Sequence, residues 1–346
     1  MPRALILGGT GLVGSVTARR LLRNGWTVEV VGRHSEHVPG DLIDSGVRFF
    51  SIDRTDLDHL ARRVGRGVDL LVDCVCFTAK DAAGLLTMAK QATSTVMISS
   101  KAVYVDQFGN HANSSTPPRF SGPISETQPT MAPGSGDFRS REGYGPNKVA
   151  AEQVLLDGDS PVTVIRPSKI HGPGASPPRE WVFVKRCLDR RPAVLLADRG
   201  RGVDHPTAAA NLAALIEFVA MNPDRRVLNS ADPDAPSALE ISRIITRLLD
   251  HHWEEVLLDD GVDPDLGKHP WQTAHPIVLD TTAATQLGYT PVGDYAATVG
   301  SAVSWMAEHA RFHQGRATLP GIEEGWFTAM LDYAAEDEYL AARAAR

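Results

Sequence analysis

The sequence predicts an α/β fold: a doubly wound parallel sheet of about seven strands, with a smaller C-terminal region interleaved with it. Three observations predict it. A short apolar run, Ala4–Leu7, meets a glycine-rich turn that opens directly into a helix. Apolar runs of strand length then alternate with segments of helical spacing as far as Arg166. Several of those runs, Asp69–Cys76 above all, are apolar almost without a break, as expected of strands covered on both faces.

The first strand is followed by Gly8-Gly9-Thr10-Gly11-Leu12-Val13-Gly14, and Ser15–Arg23 has helical spacing up to a stop at Asn24-Gly25. Strand, glycine turn and helix together make a dinucleotide fingerprint. The first glycines permit the tight turn, Gly11 lets the backbone approach a pyrophosphate, and Gly14 lets helix and strand pack closely. The first N–H groups of the helix then face the phosphates. Gly8, Thr10, Gly11, Leu12, Val13 and Gly14 are the expected binding residues. The spelling allows two registers, Gly9/Gly11/Gly14 or Gly8/Gly11/Gly14.

Trp26–Val31 reads as the second strand, and no acid stands at its end to bond an adenosine ribose. Arg33 stands there instead, which favours a 2′-phosphate, so NADP is the expected cofactor with NAD as the alternative. The third strand, Val47–Ile52, ends at Asp53-Arg54, both expected at the cofactor; Asp53 suits the adenine amino group. Asp56 suits the N-cap of a helix over Leu57–Val64. After the Asp69–Cys76 strand, Phe77-Thr78-Ala79 should pass beside the cofactor, and Lys80–Gln91 is the next helix. A fifth strand, Thr95–Ser100, precedes a long Pro/Ser/Gly-rich stretch, Asp106–Arg141, read as a mobile loop over the site. Tyr144 opens a helix to about Leu156, with Pro146 in its first turn. Val162–Arg166 is the sixth strand and Arg226–Ser230 the seventh, with a helix over Ala208–Met221 between them.

Outside the main sheet, Trp181–Asp189 reads as helix and Val194–Ala197 as a short strand. Ser237 starts a helix to Leu249 through a capping box with Glu240. Further helices are expected near Tyr295–His309 and from about Gly325. The expected division is a dinucleotide-binding domain over residues 1–173, rejoined by 204–235, and a substrate-binding region over 174–203 and 236–346.

A length of 346 residues allows one large core or two moderate ones, and a net charge of −7 argues against a nucleic-acid or membrane-surface binder. Cys74, Cys76 and Cys187 read as reduced core thiols, so a cytoplasmic setting is expected. Cys74-Val75-Cys76 lacks metal-ligand spacing, and no metal is expected. No signal peptide or membrane-spanning run is read at the sequence level.

The chemistry sits in three residues. Tyr144 and Lys148 are one helical turn apart, so they share a face. A tyrosine is a poor base near neutral pH, and a neighbouring ammonium favours its phenolate. Ser100, at the carboxyl end of a central strand, can donate to a substrate oxygen. This set resembles the extended short-chain dehydrogenases/reductases of the NAD-dependent epimerase/dehydratase family. The resemblance is carried by Gly8–Gly14, Asp53, Ser99-Ser100-Lys101-Ala102-Val103-Tyr104, Tyr144–Lys148, Arg166-Pro167 and Gln286-Leu287-Gly288-Tyr289-Thr290-Pro291. It implies Ser100 rather than Ser99 as the catalytic hydroxyl, Lys148 on the nicotinamide ribose, Pro167 beside the cofactor, and a C-terminal substrate region.

Two departures bear on the reaction. The family's dehydratases carry Asp-Glu after the catalytic hydroxyl, where this chain has Lys101-Ala102, which argues against elimination of water. Many of its sugar-nucleotide epimerases carry Asn where this chain has Lys169. The expected activity is NAD(P)-dependent hydride transfer at a hydroxyl/carbonyl of a polar, sugar-like small molecule, with Ser100, Tyr144 and Lys148 catalytic. The alternative is an inactive nucleotide-sensing regulator or RNA-associated scaffold on the same fold. The expected partner is a small-molecule substrate, with a homodimer as an option and neither nucleic acid nor membrane.

Overall fold

The computed structural model of the chain describes residues 1–65, 67–259, 265–322 and 324–345. Seven strands make one sheet: β1 (Arg3–Leu7), β2 (Thr27–Gly32), β3 (Arg48–Ser51), β4 (Val68–Asp73), β5 (Ala92–Ile98), β6 (Val162–Pro167) and β7 (Arg226–Ser230). Their order is β7-β6-β5-β4-β1-β2-β3, and every neighbouring pair is parallel. The winding reverses between β1 and β4, the switch point at which open sheets of this kind bind ligands. This is the doubly wound Rossmann sheet that the alternation predicts.

Among the described residues, five helices of eight residues or more flank it, α1 (Leu12–Arg23), α2 (Leu57–Val64), α3 (Ala79–Ala89), α4 (Arg141–Leu156) and α5 (Ala209–Met221), with a short helix over Gly40–Asp44 beside α1. Successive strand residues point to opposite faces. Ala4 and Ile6 join Val28, Val30, Leu70 and Val72 in one core with Leu21 of α1 and Leu212, Ile216 and Val219 of α5. Leu5 and Leu7 join Leu71, Met97 and Val164 in another, with Leu60 of α2, Leu85 of α3 and Leu155 of α4. Helices cover both faces, which is why the strands read as unbroken apolar runs.

Local signals set most element ends. α1 stops at Asn24 before Gly25, whose φ is +81°. The Asp56 carboxylate caps α2 by accepting the His59 N–H at 3.1 Å. Several boundaries differ from the sequence reading, β5 among them, which runs over Ala92–Ile98 rather than Thr95–Ser100, and two of the differences have a clear local cause. β4 ends at Asp73 rather than Cys76, because the Asp73 carboxylate takes the Val75 N–H (2.9 Å) and turns the chain. α4 begins at Arg141 rather than Tyr144, because the Ser140 hydroxyl accepts the Gly143 N–H (2.9 Å) and starts the helix upstream. Pro146 therefore lies in the second turn, not the first. It cannot donate to the Glu142 carbonyl, while its own carbonyl accepts from the Gly134 N–H at 3.0 Å.

By internal contacts the chain forms two compact units, Met1–Ile170 with Thr207–Pro233 and Leu279–Val292, and His171–Pro206 with Asp234–Val278 and Gly293–Arg346. Leu279–Val292, grouped with the substrate region in the sequence reading, packs in the first unit. There Tyr289 is buried and its hydroxyl donates to the Asn211 carbonyl of α5 at 2.8 Å. In the second unit the helices Trp181–Leu188, Ala238–Leu248 and Gly300–His309 enclose a core of Trp181, Phe183, Trp271, Val299 and Met306. The rings of Phe183 and Trp271 stack 5.8 Å apart. Ala193–Leu196 pairs in parallel with Glu254–Leu257, outside the main sheet. Ser237 and Glu240 form both arms of the expected capping box. The helix expected over Tyr295–His309 is two pieces, Tyr295–Thr298 and Gly300–His309, and the tail carries a helix over Tyr333–Ala344.

Candidate active site

At the carboxyl end of β1 the glycine turn is fixed by what a side chain would strike. Gly8 has φ +77°, and a Cβ on Gly9 would come within 2.4 Å of Val30. A Cβ on Gly14 would lie 2.4 Å from the Gly8 carbonyl oxygen. Both registers read from the sequence are thus occupied, since Gly8, Gly9 and Gly14 are all required by the fold. Gly11 differs: its Cβ would meet nothing nearer than the Gly8 oxygen at 3.6 Å. The free chain has room for a methyl group there. Gly11 is also the N-cap of α1, and no side chain caps that helix start. The N–H groups of Leu12, Val13 and Gly14 lie in the first turn, where a helix lacks partners of its own. A backbone cradle that no protein side chain fills fits a phosphate group. Thr10 packs beside Gly32 at the end of β2.

Arg33 and Asp53 follow β2 and β3, and both are exposed. Asp53 accepts the Thr55 hydroxyl (2.6 Å) and N–H (2.8 Å), which hold its carboxyl below the usual range, and the Arg33 charge adds to this. Arg54 points elsewhere. It bonds Asp73 at 3.0 Å and Asp81 at 3.3 Å, and it also reaches the Val75 carbonyl. Its guanidinium ties the end of β4 to the start of α3, so Arg54 acts toward the protein, where the sequence reading expected a cofactor contact. Pro167 closes β6 and is buried, in register with Ser230 of β7.

Ser100, Tyr144 and Lys148 come together. Ser100 follows β5, its hydroxyl accepts the Ala102 N–H at 3.1 Å, and the Tyr144 phenol lies beside it. Lys148 is buried, and its Nζ donates to the carbonyls of Cys76 (2.8 Å) and Ile98 (2.9 Å). The ammonium lies 5.9 Å from the Tyr144 ring centroid and 4.5 Å from that of Phe77. Burial lowers the Lys148 pKa, against the pull of Asp73 and Glu152. Desolvation also pushes the Tyr144 phenol up, only partly offset by the nearby Ser100 hydroxyl. The sequence reading expected the ammonium to favour the phenolate; here desolvation outweighs that pull and the Tyr144 phenol keeps its proton. Burial likewise raises the Cys74 and Cys76 thiols, so both stay neutral.

The segment between Ser100 and Tyr144 carries its own hydrogen-bonded anchors. The Asp106 carboxylate accepts the N–H groups of Phe108, Asn110 and Arg119, each at 2.9 Å. The Met131 N–H donates to the Val103 carbonyl at 2.8 Å. Asn147, on α4 beside Lys148, donates to the Gly136 carbonyl at 2.8 Å. Phe138 stacks on Phe77 with ring centroids 5.1 Å apart, so the loop reaches the aromatic wall of the Lys148 pocket. Sequence reasoning missed Phe138, Asp73 and Glu152. Only Glu152 had a local signal, one helical turn beyond Lys148.

Among the described residues no cluster of His, Cys, Asp and Glu is placed to hold a metal ion, and no helix is long and apolar enough to cross a membrane. The sequence model of the NAD dependent epimerase/dehydratase family matches residues 4–225. Among solved structures, a putative epimerase from Burkholderia cenocepacia J2315 is similar at TM-score 0.68 and 18% identity, over 88% of this chain and 97% of that one. The dTDP-glucose 4,6-dehydratase of Bacillus anthracis, solved with NAD, gives 0.66 and 16%, over 89% and 97%. The UDP-glucuronic acid 4-epimerase of Bacillus cereus, solved with UDP-glucuronic acid and NAD, gives 0.65 and 16%, over 88% and 99%. At these identities the likeness establishes the fold. No curated protein matches the chain.

Proposed function

The chain belongs to the NAD dependent epimerase/dehydratase family and is an NAD-dependent enzyme of the short-chain dehydrogenase/reductase superfamily; on that premise we propose that it catalyses hydride transfer at a hydroxyl/carbonyl of a sugar-like small molecule. The observation that carries this reading is that Ser100 and Tyr144 stand beside each other, with the buried Lys148 ammonium 5.9 Å from the Tyr144 ring and one turn along the same helix. The nicotinamide would supply the hydride exchange at the substrate carbon. Gly11, Leu12, Val13 and Gly14 would hold its pyrophosphate. The half-buried Tyr144 phenol delivers a proton to the substrate oxygen in the reducing direction and receives it in the oxidising one. Ser100 orients that oxygen. Lys148, together with a cationic cofactor ring, favours the phenolate when Tyr144 must act as base.

Retained Ser100, Tyr144 and Lys148 support an enzyme over an inactive scaffold. Lys101-Ala102 supports an epimerase or reductase over a dehydratase. Sugar nucleotides are the substrate class to test first, given the UDP-glucuronic acid bound in the similar 4-epimerase structure. Substrate recognition is assigned chiefly to the second unit. The test is a panel of sugar nucleotides and simple sugars, followed by nicotinamide absorbance and by product stereochemistry. Turnover of any member supports the reading, and inactivity across the panel with cofactor bound points to the scaffold.

The cofactor is assigned as NADP in preference to NAD. An Arg in place of an acid after β2 offers paired charge-assisted bonds to a 2′-phosphate and removes a repulsion. Arg33→Ala is expected to weaken NADP by about tenfold, the equivalent of ~1.4 kcal/mol, and to leave NAD nearly unchanged. Titration of both cofactors against both proteins decides this; tighter NAD binding by the wild type would reverse the preference.

A further inference from the structure

One helical turn beyond Lys148, Glu152 is 2% exposed. Its carboxylate accepts from three directions at once. The Ser99 hydroxyl donates to Oε1, Arg166 Nε donates to Oε1 at 3.1 Å, and Arg166 Nη2 donates to Oε2. Ser99 immediately precedes Ser100, and its own N–H donates to the Ile165 carbonyl of β6 at 2.7 Å. Arg166 lies in β6 directly before Pro167 and is itself buried, with its guanidinium 4.8 Å over the Tyr104 ring. The Tyr104 hydroxyl donates to Asn229 Oδ1 of β7 at 2.6 Å, and the Asn229 N–H donates to Glu126 Oε1 at 2.7 Å. One carboxylate therefore joins α4, the residue before Ser100 and the end of β6, and the network runs on to β7.

Stability alone is a poor reason for this arrangement. A buried ion pair loses much of its Coulomb energy to desolvation, and an apolar pair of similar volume often serves as well. What an ion pair with directed hydrogen bonds supplies is a defined relative position. Here the positions defined are those of the strand end bearing Ser100 and the helix bearing Tyr144 and Lys148. We propose that Glu152, held by Arg166 and Ser99, is a positioning residue that sets the height of α4 against β5 and β6, and so brings the Tyr144 hydroxyl to Ser100. The proposal extends the assignment of Ser100, Tyr144 and Lys148 as the reacting set, and it is tested without turnover.

The chain has six tyrosines, few enough for tyrosine-ring 13Cζ NMR, a signal sensitive to the hydrogen bonding of each phenol. Tyr144 is assigned with Tyr144→Phe, Tyr104 with Tyr104→Phe and Tyr289 with Tyr289→Phe. In Glu152→Gln at neutral pH, the Tyr104 and Tyr144 resonances are expected to shift while Tyr289, bonded to Asn211 on α5, stays in place. A Tyr144 resonance unmoved while Tyr104 shifts would overturn the proposal, since the pair would then serve only Tyr104 and β6. Should Glu152→Gln fail to fold, Glu152→Leu/Arg166→Met keeps the core apolar, and the same shift of Tyr144 is expected. Once a substrate is in hand, Glu152→Gln should lower kcat by about a hundredfold with cofactor affinity nearly kept. A wild type without turnover would sink the enzymatic reading, yet the Tyr144 resonance would still decide the positioning role.

Discussion

The two ends of the candidate site are built from different materials. The glycine turn after β1 is backbone: no charged side chain shapes it, and three of its four glycines are demanded by contacts of 2.4–2.8 Å or a positive φ. The Tyr144–Lys148 end is made of buried polar side chains, each held by another element: Lys148 by the carbonyls of Cys76 and Ile98, Asp73 by Arg54, Glu152 by Arg166. A backbone site is written in a few adjacent residues, whereas a side-chain site is assembled from β4, β5, β6 and α4. The first should fail by steric exclusion, locally. The second should fail by loss of charge and register, with effects carried between elements.

The largest expected effect separates two glycines within the first region. Gly14→Ala forces a Cβ onto the Gly8 carbonyl and is expected to destabilise the fold by about 1–3 kcal/mol. Gly11→Ala meets no such obstacle and should cost at most about 1 kcal/mol, as a weaker N-cap. It should nevertheless weaken cofactor binding by about tenfold or more, because the methyl group would stand where a phosphate approaches. Thermal unfolding and cofactor titration of both variants check the contrast. If Gly11→Ala bound cofactor as the wild type does, the cradle would be misplaced.

A smaller effect concerns the segment joining Ser100 to Tyr144. Three backbone N–H groups and the Asn110 side-chain amide hold the Asp106 carboxyl down at about 2. A depressed carboxyl contributes stability above its ordinary value near ~3.9 and loses it as the pH falls toward the folded value. The protection of the amides of Phe108, Asn110 and Arg119, measured against their intrinsic exchange rates, should therefore fall between about pH 4 and pH 2. In Asp106→Asn the acid-dependent part of that change should vanish. An identical acid response in the variant would assign it to other carboxyls.

This difference in material also explains what could be read from the chain alone. The strand–turn–helix of Ala4–Arg23 and the caps at Asp56 and Ser237 depend on neighbours within a few residues, and they are legible. The Tyr144–Lys148 spacing is legible for the same reason. The helix start at Ser140 was hidden, because Tyr144-Gly145-Pro146 offers a stronger local signal than Ser140 does. Arg54 looked free because its partners, Asp73 and Asp81, lie 19 and 27 residues away. Phe138 carries no local pattern at all; only the packing of its loop puts it on Phe77. The upward shift of the Tyr144 phenol comes from desolvation, which spacing does not report.

The central claim is that Tyr144 moves the proton while the glycine turn holds the cofactor independently. The most direct measurement compares wild type and Tyr144→Phe on one substrate turned over by the wild type, following nicotinamide absorbance alongside cofactor affinity by titration. The claim predicts a rate lower by at least about a hundredfold, with cofactor affinity nearly unchanged because the ring remains and only the phenol is lost. Most of the wild-type rate surviving in Tyr144→Phe would contradict it.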